Sequence, residues 1–278
     1  MLRSKLAALS LTLGFMPKVS GDTGSVRDFL AMPLPATRDR SPIALALELA
    51  YPDVKVDEGS GKLILYGQEF DLGDCGATSV QSRLVDPSIA DMFAQIYPLD
   101  FDLDARLLPW FDPGRVRHDG LLRALYGRNE QEVAAELVRV TYAGPTVQAR
   151  FAMSIKQGAA RQLQAALDAI AREGKLMDDF FRDVGGSFNW RLVAGTNRPS
   201  AHSFGIAVDF NTKLGGYWRW SGAQEGNAGS YDNKYPEPMV RHMERFGFIW
   251  GGKWHHFDGM HFEYRPELIL YARLAKSP

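Results

Sequence analysis

The stretch that most limits how this chain can fold is Ser200–Asp209, which reads Ser-Ala-His-Ser-Phe-Gly-Ile-Ala-Val-Asp. After Gly205, the apolar Ile206, Val208 and Phe210 alternate with Ala207 and Asp209. That is the period of a strand with one apolar face, and it puts Asp209 on the other face. His202 precedes the Gly205 turn, so the chain can fold back and bring imidazole and carboxylate together. An answering segment, Gly251–Glu263, adds His261 with Asp258 three residues before it. Two His and one Asp suffice to hold a catalytic zinc with a fourth position open for water. Taken singly, His202 reads as a surface histidine and His261, between Met260 and Phe262, as a core one. Asp209 carries more weight, because an acid inside Ile-Ala-Val-Asp-Phe is costly to bury unless paired, hydrogen-bonded or metal-bound. A salt bridge to Arg191 or Arg198 is its alternative. His202, Asp209 and His261 are the candidate metal ligands, and Zn²⁺ is the expected cofactor.

The pattern Ser-x-His-x-x-Gly-x-Ala-x-Asp, followed by Asp-x-x-His-Phe, resembles the zinc peptidases that cut bacterial cell-wall stem peptides. These are D-alanyl-D-alanine carboxypeptidases and L-alanyl-D-glutamate endopeptidases, phage endolysins included. Asp112-Pro-Gly-Arg-Val-Arg117, Phe188-Asn-Trp-Arg191 and Trp250-Gly-Gly-Lys-Trp254 look like a bacterial subgroup of the same family. The resemblance runs from about residue 43 to 272 and is strongest after 185. It implies an exported zinc peptidase acting on peptidoglycan peptides, periplasmic or extracellular. It also places an acid at Asp258, as general base, and an arginine upstream of the first ligand, for substrate and transition-state charge. Arg191 is the first candidate for that arginine, with Arg198 and Arg115 open beside it.

Composition bounds the rest. A net charge of -1 and 23% charged residues give no basic stripe for nucleic acid, and 45% hydrophobic residues can fill a core. Arg3 and Lys5 precede the apolar run Leu6–Phe15, and small residues follow near Gly21. Residues 1–21 therefore read as a signal peptide, with an apolar run too short to span a bilayer. Cys75 is the only cysteine and reads as a partly buried thiol, so no intrachain disulfide can form. A monomer is expected.

Residues 22–42 lack periodicity and read as a linker before a single metallopeptidase domain, 43–278. Ser41-Pro42 caps a short helix to Ala50. Lys62–Tyr66 and Thr146–Ile155 read as strands, and Gln157–Glu173 and Pro238–Phe246 as helices. Asp86-Pro87 is expected to open a helix with Ile89, Met92, Phe93 and Ile96 on one face. Asn129–Glu132 resembles a helix cap ahead of Val133, Leu137 and Val138. Phe188, Trp190, Leu192 and Ala194 alternate as a strand, which sends Arg191 to the other face. Phe248–Tyr264 reads as strand, turn and strand, and Pro266 opens a last helix. With helices first and strands late, the expected fold is α+β. A small mixed or antiparallel sheet carries the zinc site, with 188–194, 204–210 and 260–264 as neighbours and helices packed around.

Asp258 is the most open of the chemical residues. Asp-Gly is a strong hairpin-turn signal, so it can shape a turn; as a base it would take a proton from water. Glu263 and His256 stand behind it for that role. Ser200 and Trp254 are the substrate-binding candidates, with Trp218 and Trp220 able to line the same groove. Two rivals remain: a non-catalytic wall-binding or zinc-stabilised module, and a non-haem iron oxygenase, which also uses two His and one carboxylate.

Overall fold

The computed structural model describes residues 24–36, 39–75, 79–193 and 196–276, so the expected signal peptide lies outside the described residues. Helix α1 (Pro42–Ala50) starts where Ser41 accepts a hydrogen bond from the Ile43 amide, with proline at the first position. Its buried face of Ala44, Leu45, Leu47 and Ala50 packs on the C-terminal helix. A three-stranded antiparallel meander follows: β1 (Val54–Asp57), β2 (Lys62–Leu65) and β3 (Gln68–Asp71). Three short helices come next, α2 (Val80–Val85), α3 (Asp119–Tyr126) and α4 (Glu130–Ala134). The antiparallel hairpin of β4 (Leu137–Ala143) and β5 (Gln148–Ser154) is covered by α5 (Ala159–Arg172). The α+β expectation holds, with every strand pair antiparallel.

The site is carried by a four-stranded sheet. It contains β6 (Val184–Gly186), β7 (Ala207–Asn211), β8 (Phe248–Trp250) and β9 (His261–Tyr264), in the order β6-β7-β9-β8. A short helix α6 (Thr212–Gly215) leaves β7, α7 (Glu237–Arg245) leads into β8, and α8 (Pro266–Leu274) leaves β9. Val208 and Phe210 are fully buried, with the Phe210 ring 5.1 Å from Phe262 across the sheet. Each such side chain contributes about 1.5–3 kcal/mol by leaving water. One continuous apolar cluster runs from Phe29 to Leu274.

Several expectations need correction. Residues 188–194 form no strand; only Leu192 makes a bridge, to Pro199. Leu192 is exposed, so the alternation has no core to face. The segment bonds instead to the turn bearing His202: the Ser200 amide donates to the Arg191 carbonyl, and the Arg191 amide to Ser203 Oγ. Its place beside β7 goes to Val184-Gly-Gly186, because a Cβ at Gly185 would lie 2.7 Å from that of Asp209. The helix after Pro87 is only a 3₁₀ turn, Ala90–Phe93, and Ile96 is exposed. Leu137 and Val138 belong to β4, where a half-buried hairpin uses their alternation better than a helix would. Strands are not confined to the end of the chain either.

Residues 24–36, expected as linker, contain no helix or strand but are packed. Phe29 is fully buried, its amide donates to the Arg245 carbonyl, and Arg27 donates to the Leu49 and Ala50 carbonyls at the end of α1. Anchoring rests on single side chains, which leave no periodicity to read. Cys75 is exposed rather than partly buried.

Candidate metal centre and catalytic cleft

His202 lies on a one-turn 3₁₀ helix, Ala201–Phe204, that Ser200 opens by accepting from the His202 amide. Gly205 closes the turn at φ +64°, the left-handed region that favours glycine, and a Cβ there would press on Leu137 and Ser154. The chain reverses and enters β7, so His202 and Asp209 meet. His261 arrives by strand register, since Asp209 and His261 are paired positions of β7 and β9. Paired positions share a face of the sheet.

Three donor atoms converge. His202 Nε2 is 3.2 Å from His261 Nδ1 and 3.3 Å from Asp209 Oδ2, and His261 Nδ1 is 2.9 Å from Asp209 Oδ1. In a tetrahedral zinc site, ligand atoms lie about 3.3–3.6 Å apart. The far sides of both rings decide where the protons are. His202 Nδ1 is 2.5 Å from the Ser187 carbonyl, which can only accept, so Nδ1 carries the proton. His261 Nε2 is 3.6 Å from Glu263 Oε2, and its proton belongs on that side. With those protons facing outward, both inward nitrogens can offer lone pairs to a cation beside the Asp209 carboxylate; without an ion, a proton on His261 Nδ1 answers Asp209. Burial opposes charging His261, yet its bonds to Asp209 and Glu263 push its pKa up to about 10. Burial also works against ionised Asp209, but the two imidazoles hold it well below the usual carboxylate range. The donor set fits zinc.

Glu263 is the residue that reading along the chain misplaced. Fully buried, it accepts from Arg117 through both oxygens, at 2.8 and 2.5 Å, and from Arg265 at 3.3 Å. These cations hold its carboxyl well below its usual range against the cost of burial. Such a carboxylate orients His261 and fixes its tautomer; it is not a free base. The signal was available, because His261 and Glu263 stand two apart on one strand and share a face. His256 is also spent. Its Nδ1 donates to Asp112 at 2.6 Å and its Nε2 accepts from the Gly226 amide at 2.9 Å.

Asp258 differs from both. Its Oδ1 is buried with no hydrogen-bond partner among the described residues. Burial pushes its pKa up to about 6; His261 opposes the rise and Asp209 adds to it. Asp258 also opens the turn into β9, its carbonyl accepting from the His261 amide at 3.1 Å, while it bridges Tyr217 and its own amide donates to the Gly251 carbonyl.

His202, Asp258 and His261 line a cavity of about 290 Å³ with Arg191 and Arg115. Arg191 is exposed and pairs with no carboxylate among the described residues, whereas Arg115 lies 3.5 Å from Asp112. Arg117 also lines this cavity but is committed to Glu263, and Arg198 lines an adjoining one. Ser200 is buried at the cavity wall with its hydroxyl capping the His202 turn. Trp254 is a buried wall, its indole N–H bonded to the Pro113 carbonyl and its ring 5.7 Å from His261. Trp220 is the exposed aromatic at the rim. No helix among the described residues is long and apolar enough to cross a membrane.

No curated protein and no solved structure matches the chain. A family model described as D-alanyl-D-alanine carboxypeptidase matches residues 194–264. That span contains His202, Asp209, Asp258 and His261, so the site-bearing part of this chain is similar to the D-alanyl-D-alanine carboxypeptidase family.

Proposed function

We propose that this chain is an exported zinc peptidase that hydrolyses peptide bonds in peptidoglycan stem peptides, of the D-Ala-D-Ala carboxypeptidase or L-Ala-D-Glu endopeptidase type. One observation carries the reading: two imidazole nitrogens and a carboxylate converge near a half-buried acid, Asp258, whose Oδ1 has no hydrogen-bond partner among the described residues. A purely structural zinc site needs no such acid and closes its fourth position. His202 Nε2, His261 Nδ1 and Asp209 would hold the ion. When bound, zinc supplies Lewis acidity, polarising a carbonyl and acidifying water.

The chain's own groups do the rest. Asp258 takes a proton from the attacking water and returns it to the leaving nitrogen, as a carboxylate beside the reacting atoms can do. Arg191, unpaired at the cavity wall, meets negative charge as it develops on the substrate oxygen. Glu263, clamped by Arg117, keeps the His261 ring from turning. Trp254 and Ser200 wall off the ligands and hold the His202 turn.

The test is to incubate the purified, zinc-loaded protein with defined muropeptides and identify products by mass spectrometry. Release of D-alanine, or a cut between L-Ala and D-Glu, names the bond. Chelation should abolish cleavage and zinc restore it. A protein with stoichiometric zinc that cuts no stem peptide refutes the proposal. Dioxygen-dependent turnover with iron would favour the oxygenase reading.

A further inference from the structure

Beside the catalytic cavity lies a second one of about 250 Å³, and Arg115, Val193, Tyr217, Trp218 and His256 line both. The second cavity adds Arg198 and Arg219. Their charge is incompletely answered. Arg219 pairs with Glu225 at 3.0 Å and stacks on Trp218. Arg115 has only Asp112, 3.5 Å away, and Asp112 already accepts twice from His256. Arg198 Nε is buried with no hydrogen-bond partner among the described residues. Burial first, then the neighbouring charges of Arg117 and Arg115, bring its pKa down to about 10; Asp119 and Glu263 oppose this without forming an ion pair. A guanidinium held half-buried among like charges gains most from an anion that arrives from outside.

We infer that Arg198 and Arg115 form a carboxylate subsite beside the catalytic cavity, which reads a free acid on a residue flanking the scissile bond. The inference rests on the peptidase reading and sharpens its substrate class: stem peptides whose acidic residues are unamidated. A planar fork facing a carboxylate gives two parallel hydrogen bonds, and an amide offers one acceptor and a clashing N–H. Arg198 is absent from the lining of the catalytic cavity, so it acts through binding rather than on the reacting atoms.

The experiment compares two stem peptides, identical except that one flanking carboxylate is free in the first and amidated in the second. Wild type should favour the free acid by about tenfold or more in kcat/KM, mostly through KM, the size expected for one charge-assisted pair. Arg198→Gln should collapse that ratio toward one, and Arg198→Lys should restore part of it. Thermal unfolding and zinc content of the variants establish that they are folded and loaded. Equal handling of acid and amide by wild type overturns the inference while the peptidase reading stands. If neither peptide is cut, that reading fails. Tryptophan-fluorescence titration then decides separately: tighter binding of the free acid, weakened in Arg198→Gln, supports the subsite, and equal binding overturns it.

Discussion

Two groups of histidines lie close together in this protein and do opposite things. At the corner of β7 and β9, His202 and His261 turn their proton-bearing nitrogens outward, to the Ser187 carbonyl and Glu263. Their lone pairs meet with Asp209 between them. In the turn before β9, His255 and His256 have every ring nitrogen engaged by the protein itself. His255 bonds the Arg106 carbonyl and the Ala228 amide, and His256 bonds Asp112 and the Gly226 amide. The first pair can hold a cation; the second pins the loop that carries Tyr217, Trp218 and Trp220 against the scaffold. Residue type and proximity do not separate a metal site from a structural one. The direction of the lone pairs does.

The largest effect should come from His261→Ala. Zinc and activity should disappear together, measured by metal analysis and muropeptide cleavage. A variant that retains stoichiometric zinc would move the ligand set elsewhere and break the comparison at its root.

Asp258→Asn should come next. Activity should fall about a hundredfold or more, the usual worth of a positioned acid–base group, while zinc stays bound. The fold should tolerate the change, because asparagine removes a buried charge with no partner. Full activity in this variant would return Asp258 to a purely structural role, since Glu263 and His256 are already engaged.

Glu263→Gln should weaken zinc affinity by about 10–100-fold, the usual cost of losing the carboxylate behind a ligating histidine. It also leaves Arg117 and Arg265 short of a counter-charge, so thermal stability should drop with it. Competition with a chelator and a melting curve on the same sample check both. Unchanged zinc affinity would mean that Glu263 only balances charge.

The smallest effect on chemistry belongs to the other pair. His256→Leu should keep zinc yet lower stability by about 1–3 kcal/mol for each buried group left without its bond. Acid should act on this turn through Asp112. Burial would raise that carboxyl, but the hydrogen bond from His256 and the charge of Arg115 lower it. A depressed folded pKa means stability that is complete above the unfolded value, about 3.9, and is lost as pH falls through the lower folded value. Zinc should therefore leave first, as its imidazole ligands take up protons, and the turn should loosen only under stronger acid. Simultaneous loss of both across pH would show that the two histidine groups are one cooperative unit.

The sequence alone picked out His202, Asp209 and His261 as the residues that cluster, because alternation about Gly205 left Asp209 on the polar face and the segment ending in His261 offered the third donor. It also determined the caps and stops that local chemistry dictates: Ser41 before Pro42, Asn129 accepting from the Glu132 amide, and Pro266 at the start of α8. Tertiary structure decided which strand lies beside Asp209. A Val-Gly-Gly segment shows no period; the closeness of Asp209 and Thr212 explains the glycine at 185, and a φ of +109° the glycine at 186. It decided as well which acid is free. Asp258, Glu263 and Asp112 look alike along the chain; Arg117 claims one and His256 another, through contacts across about 145 residues of chain. Alternation and capping are local and survive in one dimension, whereas proton placement and charge pairing depend on neighbours that only folding brings together.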